Sequence, residues 1–299
     1  MPPKLTFDAK EFGPSIGSIL QIFQRTYNAW TNDTSQLAFS ILGTSVAAIS
    51  LLKLVRHLWG YVRPSKLQIY CHSETGSWAL VTGASDGIGR GFVDELLSNG
   101  FNVLLHGRNQ SKLEGIVKEL AQKHPKRTID FVIADASSND SPELAVLEKV
   151  KSLPGKLTIL PSLIMNCGSG AGVIGVPYIT TYSGTKGYIH SFTKALKAEM
   201  AAEGFAPDKR STKGVEVKGY IIGNTQSGGN KTDVPFFTIS SAQCARGCLR
   251  QVGNGKTLET PHWRQEMIEW IASVIPEKTM RENMAQQMRD RKEQEAKEL

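Results

Sequence analysis

The chain has 299 residues, 40% of them hydrophobic, and a formal net charge of +7. That length suits one sizeable core plus appendages, and that composition can bury it. No aromatic-interleaved basic patch argues for nucleic acid, and the four cysteines, at 71, 167, 244 and 248, show neither metal-ligand nor disulfide spacing, so no metal and a reducing compartment are expected.

Residues 1–33 read as an N-terminal arm. From Thr34 to Leu52 the chain carries no charge. About twenty apolar residues span a bilayer, although Thr34, Ser35, Gln36, Ser40, Thr44, Ser45 and Ser50 dilute this run. It begins too far from Met1, and lacks the charged lead-in, to be a simple secretory signal. Lys53, Arg56, Arg63 and Lys66 follow with no acid among them. A basic flank of that kind stays on the cytosolic side. The expectation is a membrane segment over 34–63 with a cytosolic domain behind it; the alternative is a soluble packing helix. These four charges account for much of the basic balance.

From residue 77 strands and helices alternate, the pattern of a parallel doubly wound sheet. A strand over 78–82 runs into Gly83-Ala84-Ser85-Asp86-Gly87-Ile88-Gly89 and then a helix over 88–98 (Phe92, Val93, Leu96, Leu97) closed by Gly100. Glycines are needed where the backbone turns sharply and must touch a pyrophosphate. The helix N-terminus behind them offers free N–H groups and the positive end of its dipole. Asp86 reads as the cap of that helix. The second strand, 101–106, ends at His106-Gly107-Arg108-Asn109. An NAD-preferring site usually carries an acid there; Arg108 instead suits a 2′-phosphate. A helix over 111–123, a strand over 128–134 and a helix over 142–152 follow.

An apolar run, Ser162 to Cys167, leads to Ser169, and Tyr182-Ser183-Gly184-Thr185-Lys186 stands thirteen residues further on, opening a helix over 182–203. Tyr182 and Lys186 share one helical face at i and i+4. An ammonium beside a phenol favours the phenolate, lowering the tyrosine from its free pKa of about 10 and making a general acid/base usable near neutral pH. The hydroxyl of Ser169 can bond the same substrate oxygen. A strand over 215–222 and a helical lobe including 264–274 complete the domain. Arg281 to Leu299 reads as a charged tail, either a solvated helix or frayed. His72, His106, His190 and His262 show no pairing and read as structural or exposed.

Together these motifs resemble the short-chain dehydrogenase/reductase family over residues 77–275. Their wording and the apolar extension look most like microsomal 3-ketoacyl-CoA reductases and related 17β-hydroxysteroid dehydrogenases of fungal type. The resemblance implies a Rossmann-like single domain, with 276–299 as a tail. It implies ketone reduction with NADPH, held by Gly83, Ser85, Asp86, Gly87, Ile88, Gly89 and Arg108, with Asp135 at the adenine. Tyr182 would donate the proton, Lys186 would assist it and hold the nicotinamide ribose, and Ser169 would polarise the carbonyl. After the sixth strand the family usually shows Pro-Gly and a carboxamide-binding Thr; this chain has Ile222-Gly223-Asn224-Thr225-Gln226-Ser227, so Thr225 or Ser227 could serve.

One joint does not fit. Leu157 to Leu160 reads as the start of the fourth strand and Ser162 to Cys167 as the fifth, with only Pro161 between. Parallel neighbours need a crossover of a dozen or more residues. One strand over 156–168 would be about 43 Å long, interrupted by a proline. The family has, between Asp135 and Ser169, a fourth strand ending in Asn-Asn-x-Gly and a long helix carrying a further catalytic Asn. Neither is recognisable here, as though forty to fifty residues were deleted. That helix also forms part of the family's dimer face, which puts the usual homodimer in doubt and should uncover a sheet edge and one side of helix 182–203.

The expected function is NADPH-dependent reduction of a lipid-like ketone, a 3-ketoacyl-CoA or steroid, at the endoplasmic reticulum membrane. Two alternatives stand beside it: a ketoreductase of specialised polyketide or terpenoid metabolism, and a dinucleotide-binding protein impaired by the deletion.

Overall fold

A computed structural model describes residues 13–30, 33–71, 76–138, 141–159, 162–207, 214–228, 230 and 234–297. Most of the arm before Gly13, His72, and the joint at Leu160 and Pro161 lie outside the described residues. The chain divides into two units, residues 1–60 and 61–299.

The first unit is helical: α1 spans Gly13–Trp30, and α2, Asp33–Val62, reaches just past its end. Gln36–Val62 is long and apolar enough to cross a membrane, and no residue of its most apolar stretch is buried in the protein. Its 27 residues make about 40 Å of helix at 1.5 Å per residue, more than the roughly 30 Å hydrocarbon core. Leu42, Val46, Ile49, Leu52 and Trp59 are all exposed along it.

The second unit is built on a seven-stranded sheet: β1 (Ser77–Thr82), β2 (Asn102–Gly107), β3 (Ile129–Ile133), β4 (Lys156–Ile159), β5 (Leu163–Cys167), β6 (Glu216–Tyr220) and β7 (Leu258–Glu259). They lie in the order β3-β2-β1-β4-β5-β6-β7, and every pair is parallel. Helices cover both faces, so the central strands read as near-continuous apolar runs. Trp78, Ala79, Val103, Leu104, Leu105 and Leu163 are buried to within 1% of full exclusion. The covering helices are α3 (Gly87–Ser98), α4 (Gln110–Lys123), α5 (Pro142–Lys151), the short α6 (Ala171–Ile174), α7 (Thr180–Ala202), α8 (Ser241–Arg250), α9 (Trp263–Val274) and α10 (Glu277–Lys297). Expected and observed boundaries agree to within a few residues, as fraying ends allow.

β6 carries one charge into the core. Lys218 is fully buried, and its ammonium donates to Gln251 O (3.0 Å), Asn254 Oδ1 (2.7 Å), Lys256 O (3.2 Å) and Glu259 Oε2 (2.7 Å). A buried cation persists only when paired and hydrogen-bonded, and this one ties β6 to the segment leading into β7.

The disputed joint resolves by sharing. The fourth strand is not wholly absent: β4 is its first half, pairing with β1 from Ser77↔Lys156 to Ala79↔Ile159. β5 then runs beside β6 from Leu163↔Glu216 to Cys167↔Tyr220. β4 and β5 meet at the single pair Ile159↔Leu163. They occupy neighbouring positions at different heights, which three intervening residues can span where a full crossover cannot be made. No helix separates them. On α7, Tyr188 and Phe192 are 67% and 43% exposed.

Candidate active site

Ser169, Tyr182 and Lys186 come together at the carboxyl end of β5, the edge where open α/β sheets bind ligands. β5's hydrogen bonding continues past its end: Gly168 N donates to Tyr220 O (2.9 Å) and Gly170 N to Ile222 O (3.1 Å), which fixes Ser169 between them. The Ser169 hydroxyl accepts from Ala171 N (3.3 Å). A hydroxyl that accepts one bond keeps its proton to donate.

Beneath it stands one of the histidines that read as structural or exposed. His190, 6% exposed on α7, accepts the Ser169 backbone N–H at Nε2 (3.3 Å). A Cβ on Gly168 would lie 2.1 Å from that nitrogen, so only glycine lets the ring approach. Burial, aided by the nearby charges of Lys194 and Lys186, holds the His190 pKa below its usual value. The neutral ring therefore stays an acceptor. The one-face spacing of α7 (Ser183, His190, Thr193 buried) was its only sequence signal.

Lys186 donates to Cys167 O (2.9 Å), and its Nζ lies 5.6 Å from the centroid of the Tyr182 ring. The strand-end carbonyl thus anchors the ammonium beside the phenol. Tyr182 itself is 48% exposed, so its ring edge is available to a ligand.

These three side chains line one cavity of about 1130 Å³, together with Ile88, Thr225 and Ser227. Of the two carboxamide candidates, Thr225 is buried, its hydroxyl donating to Gly223 O (3.2 Å) and meeting Gln265 Nε2 (3.2 Å). Ser227 lies against the glycine loop: a Cβ on Gly87 would sit 2.7 Å from Ser227 Cβ. Gln265 is a wall residue the sequence did not reveal, 1% exposed and also donating to Asn224 O (2.9 Å). The far wall is supplied by α10, whose Met280, Met284 and Met288 face the cavity, with Arg291 and Lys292 at its end. The segment read as a charged tail is thus an ordered helix with one apolar stripe.

Gly83, Ser85, Asp86, Gly87, Gly89, Arg108 and Asp135 lie outside that cavity, along the carboxyl ends of β1, β2 and β3. Asp86 caps α3, accepting from Gly87 N (2.7 Å). Gly89 is held tightly, since a Cβ there would meet Gly83 O at 2.2 Å, whereas Gly83, at φ +63°, has nothing within 4 Å. The loop is thus open at Gly83 and covered by Ser227 at Gly87, and the first-turn amides of α3 have no intrahelical acceptors. Arg108 is exposed after β2. Asp135 accepts from Ser137 N (3.0 Å) and Ser137 Oγ (2.7 Å); those bonds, and then the charge of Arg108, hold its carboxyl below the usual range. A glycine loop on a helix N-terminus, with a guanidinium one strand away, offers N–H groups and positive charge to the phosphates of a dinucleotide. Among the described residues no cluster of His, Cys, Asp or Glu could hold a metal ion.

Comparison with known proteins bears on the fold and on the family the chain resembles. The profile of the short chain dehydrogenase family matches residues 77–162. The very-long-chain 3-oxoacyl-CoA reductase of Podospora anserina is 26% identical, covering 85% of this chain and 88% of its own. That of Coprinopsis cinerea is also 26% identical, covering 87% and 89%. The Podospora alignment is 310 positions long although the chain has only 299 residues and contributes 85% of them, so about fifty positions of the relative face no residue here. Among solved structures, a 7β-hydroxysteroid dehydrogenase superposes with a TM-score of 0.56 at 18% identity, over 71% of this chain and 98% of its own. A short-chain dehydrogenase from Sphingobium yanoikuyae, solved with NADPH, gives 0.51 at 15%, over 67% and 96%. At those identities the structures speak for the fold.

Proposed function

We propose that this chain, which is similar to the short-chain dehydrogenase/reductase family of oxidoreductases, reduces a ketone on a long lipid-like substrate, with NADPH, at a membrane surface. The observation that carries this reading is the meeting of Ser169, Tyr182 and Lys186 on one cavity. Ser169 donates a hydrogen bond to the carbonyl oxygen and polarises it. Tyr182 donates its phenolic proton to that oxygen as negative charge gathers there. The Lys186 ammonium stabilises the phenolate left behind. The glycine loop, the α3 N-terminus and Arg108 hold the phosphates, and Lys186 the ribose next to the nicotinamide. Bound there, NADPH supplies the hydride that the carbonyl carbon receives.

The substrate class is supported by the wall of the cavity and by the relatives' names. A volume of about 1130 Å³ exceeds the usual range for small ligands. Three methionines give an adaptable apolar surface for a chain, and Arg291 and Lys292 offer charge to an anionic head. The relatives are named for 3-oxoacyl-CoA reduction. The exposed apolar α2 supports anchoring in the endoplasmic reticulum membrane, with the second unit on the cytosolic side. The test is NADPH consumption by purified protein over 3-oxoacyl-CoA, steroid and polyketide-like ketones of graded length. Turnover that rises with apolar chain length is expected; turnover confined to short polar ketones contradicts the substrate class.

A second reading rests on the joint between β4 and β5: a dinucleotide-binding protein without turnover. Sub-ångström placement of Ser169 and Tyr182 is needed for chemistry, and the joint after β4 leads directly into β5, the strand that Ser169 follows. NADPH titration by intrinsic fluorescence separates the two, since binding with no turnover of any ketone favours the second.

A further inference from the structure

α9 carries apolar side chains on two faces. Gln265, Ile268, Glu269 and Ala272 line the cavity. Trp263, Trp270 and Val274 recur at i, i+7 and i+11, so they stand in a row along a different face. All three are exposed, Trp270 by 67% and Val274 by 65%, and Ile271 beside them is exposed as well. Phe236 extends the row: it too is exposed, and its ring centroid lies 5.6 Å from that of Trp263. The two acids of α9 are held elsewhere, Glu266 accepting from the Tyr61 phenol and Glu269 from Thr260 Oγ1 (3.1 Å). The charge at the edge of the row is Arg264, whose guanidinium lies 5.0 Å from the Phe236 centroid and 5.6 Å from that of Trp263. A contiguous exposed apolar patch marks a contact with another protein or with a membrane.

Three observations select the membrane. The first is composition: tryptophan, with an apolar ring and one N–H, belongs at headgroup depth, and a lone arginine with no acid beside it suits anionic lipid. The second is tethering. Tyr61 and Arg63 open the second unit, at the turn where the apolar span Gln36–Val62 ends. Tyr61 bonds Glu266 on α9 and accepts at its carbonyl from Arg250 Nη1 (2.6 Å), while Arg63 Nη2 donates to Val252 O (3.0 Å). α9 is thus tied to the residues that follow the membrane-crossing stretch. The third is continuity with the site: Ile268 lines the cavity and is also exposed, so the cavity rim adjoins the row.

We propose that Trp263, Trp270, Ile271 and Val274, with Phe236, form a second membrane contact, seated at the headgroup and acyl boundary of the bilayer that α2 enters, and that a lipid-like ketone reaches the cavity from that bilayer past Ile268. This rests on the anchoring proposed for α2 and goes beyond it, because it lays the substrate-binding lobe itself on the lipid. From Trp263 to Val274 is about 16 Å of helix, lying along the surface as interfacial helices do.

The test uses the full chain with Cys71→Ser, reconstituted in vesicles of phosphatidylcholine and phosphatidylserine, with a nitroxide on Val274→Cys. Val46→Cys in α2 and Lys118→Cys, exposed on α4, serve as references. Power saturation compares collisions of the label with oxygen, which concentrates in the bilayer, and with a water-soluble nickel chelate. The oxygen-to-nickel ratio at residue 274 should exceed that at 118 by about threefold or more, as for an apolar face about 5–10 Å into the boundary. Trp263→Ser with Trp270→Ser should return it to the value at 118. A ratio at 274 equal to that at 118, with a membrane ratio at 46, overturns this proposal alone; aqueous ratios at both 274 and 46 overturn the anchoring reading with it. A ratio unmoved by loss of both tryptophans also overturns it. So does a label shielded from both reagents with concentration-dependent spin–spin broadening, which makes a second copy the occupant. The readout needs neither cofactor nor turnover, so its failure is separable from failure of the reductase reading.

Discussion

Gly168 decides whether Ser169 has a rigid seat. The imidazole of His190 fills the space a side chain would need, 2.1 Å from an added Cβ. Gly168→Ala should therefore push the ring out, loosen Ser169 and destabilise the protein by about 1–3 kcal/mol, as overpacking does. Thermal unfolding checks it; an unshifted midpoint contradicts the packing described. Arg108 is argued on charge. Arg108→Ala removes a charge-assisted contact of about 1.5–3 kcal/mol, so NADPH should bind at least tenfold more weakly while NADH is little affected. Equal losses for both would show that Arg108 does not read the extra phosphate. The Ser–Tyr–Lys constellation was legible because it rests on fixed spacing along one strand and one helix. Gln265 and His190 were not, because their roles arise only when distant segments meet.

At the scale of elements, three histidines set a pH dependence. Burial holds His106, His190 and His262 below their usual pKa, with Lys194 and Lys186 adding to it at His190 and Arg264 and Arg250 at His262. The folded protein keeps them neutral where the unfolded chain, titrating near about 6.5, takes up protons. Their contribution is thus complete above that pH and is lost as pH falls below it. The melting temperature should drop between pH 7.5 and 5.5, and less so when all three are replaced by Asn; an equal drop in both proteins contradicts this cause. The apolar stripe of α10 carries a second expectation. Replacing Met280, Met284 and Met288 by Ser should raise KM for long ketones severalfold and leave short ones unchanged. Uniform effects would mean the stripe only supports the fold. That stripe was present in the sequence as methionines at i, i+4 and i+8, but a helix so rich in charge gives no reason to expect a partner.

Across the whole molecule, α2 and the sheet make separate demands. An exposed helix of 27 apolar-rich residues should hold the chain in membranes through alkaline carbonate extraction, whereas a chain lacking residues 1–60 should be released. Retention of the shortened chain would place the attachment elsewhere. The doubly wound order was readable because each strand and helix declared its own period. So was the trouble at residue 160, because three residues cannot make a parallel crossover. What the sequence could not display was the outcome, two half-strands at different heights, since strand pairing is decided by the sheet and not by the segment.

The claim on which the functional account depends is that the Tyr182 phenol completes a reduction begun by hydride from a dinucleotide in the glycine-lined cleft. The most direct measurement is product analysis after incubation of the full chain with a long 3-oxoacyl-CoA and NADPH deuterated at the transferring position, beside Tyr182→Phe. Deuterium on the carbinol carbon of the product is predicted for the unaltered protein, with the rate falling on the order of 10²–10⁴-fold in the variant. Deuterated alcohol formed equally fast by both proteins would contradict the assignment.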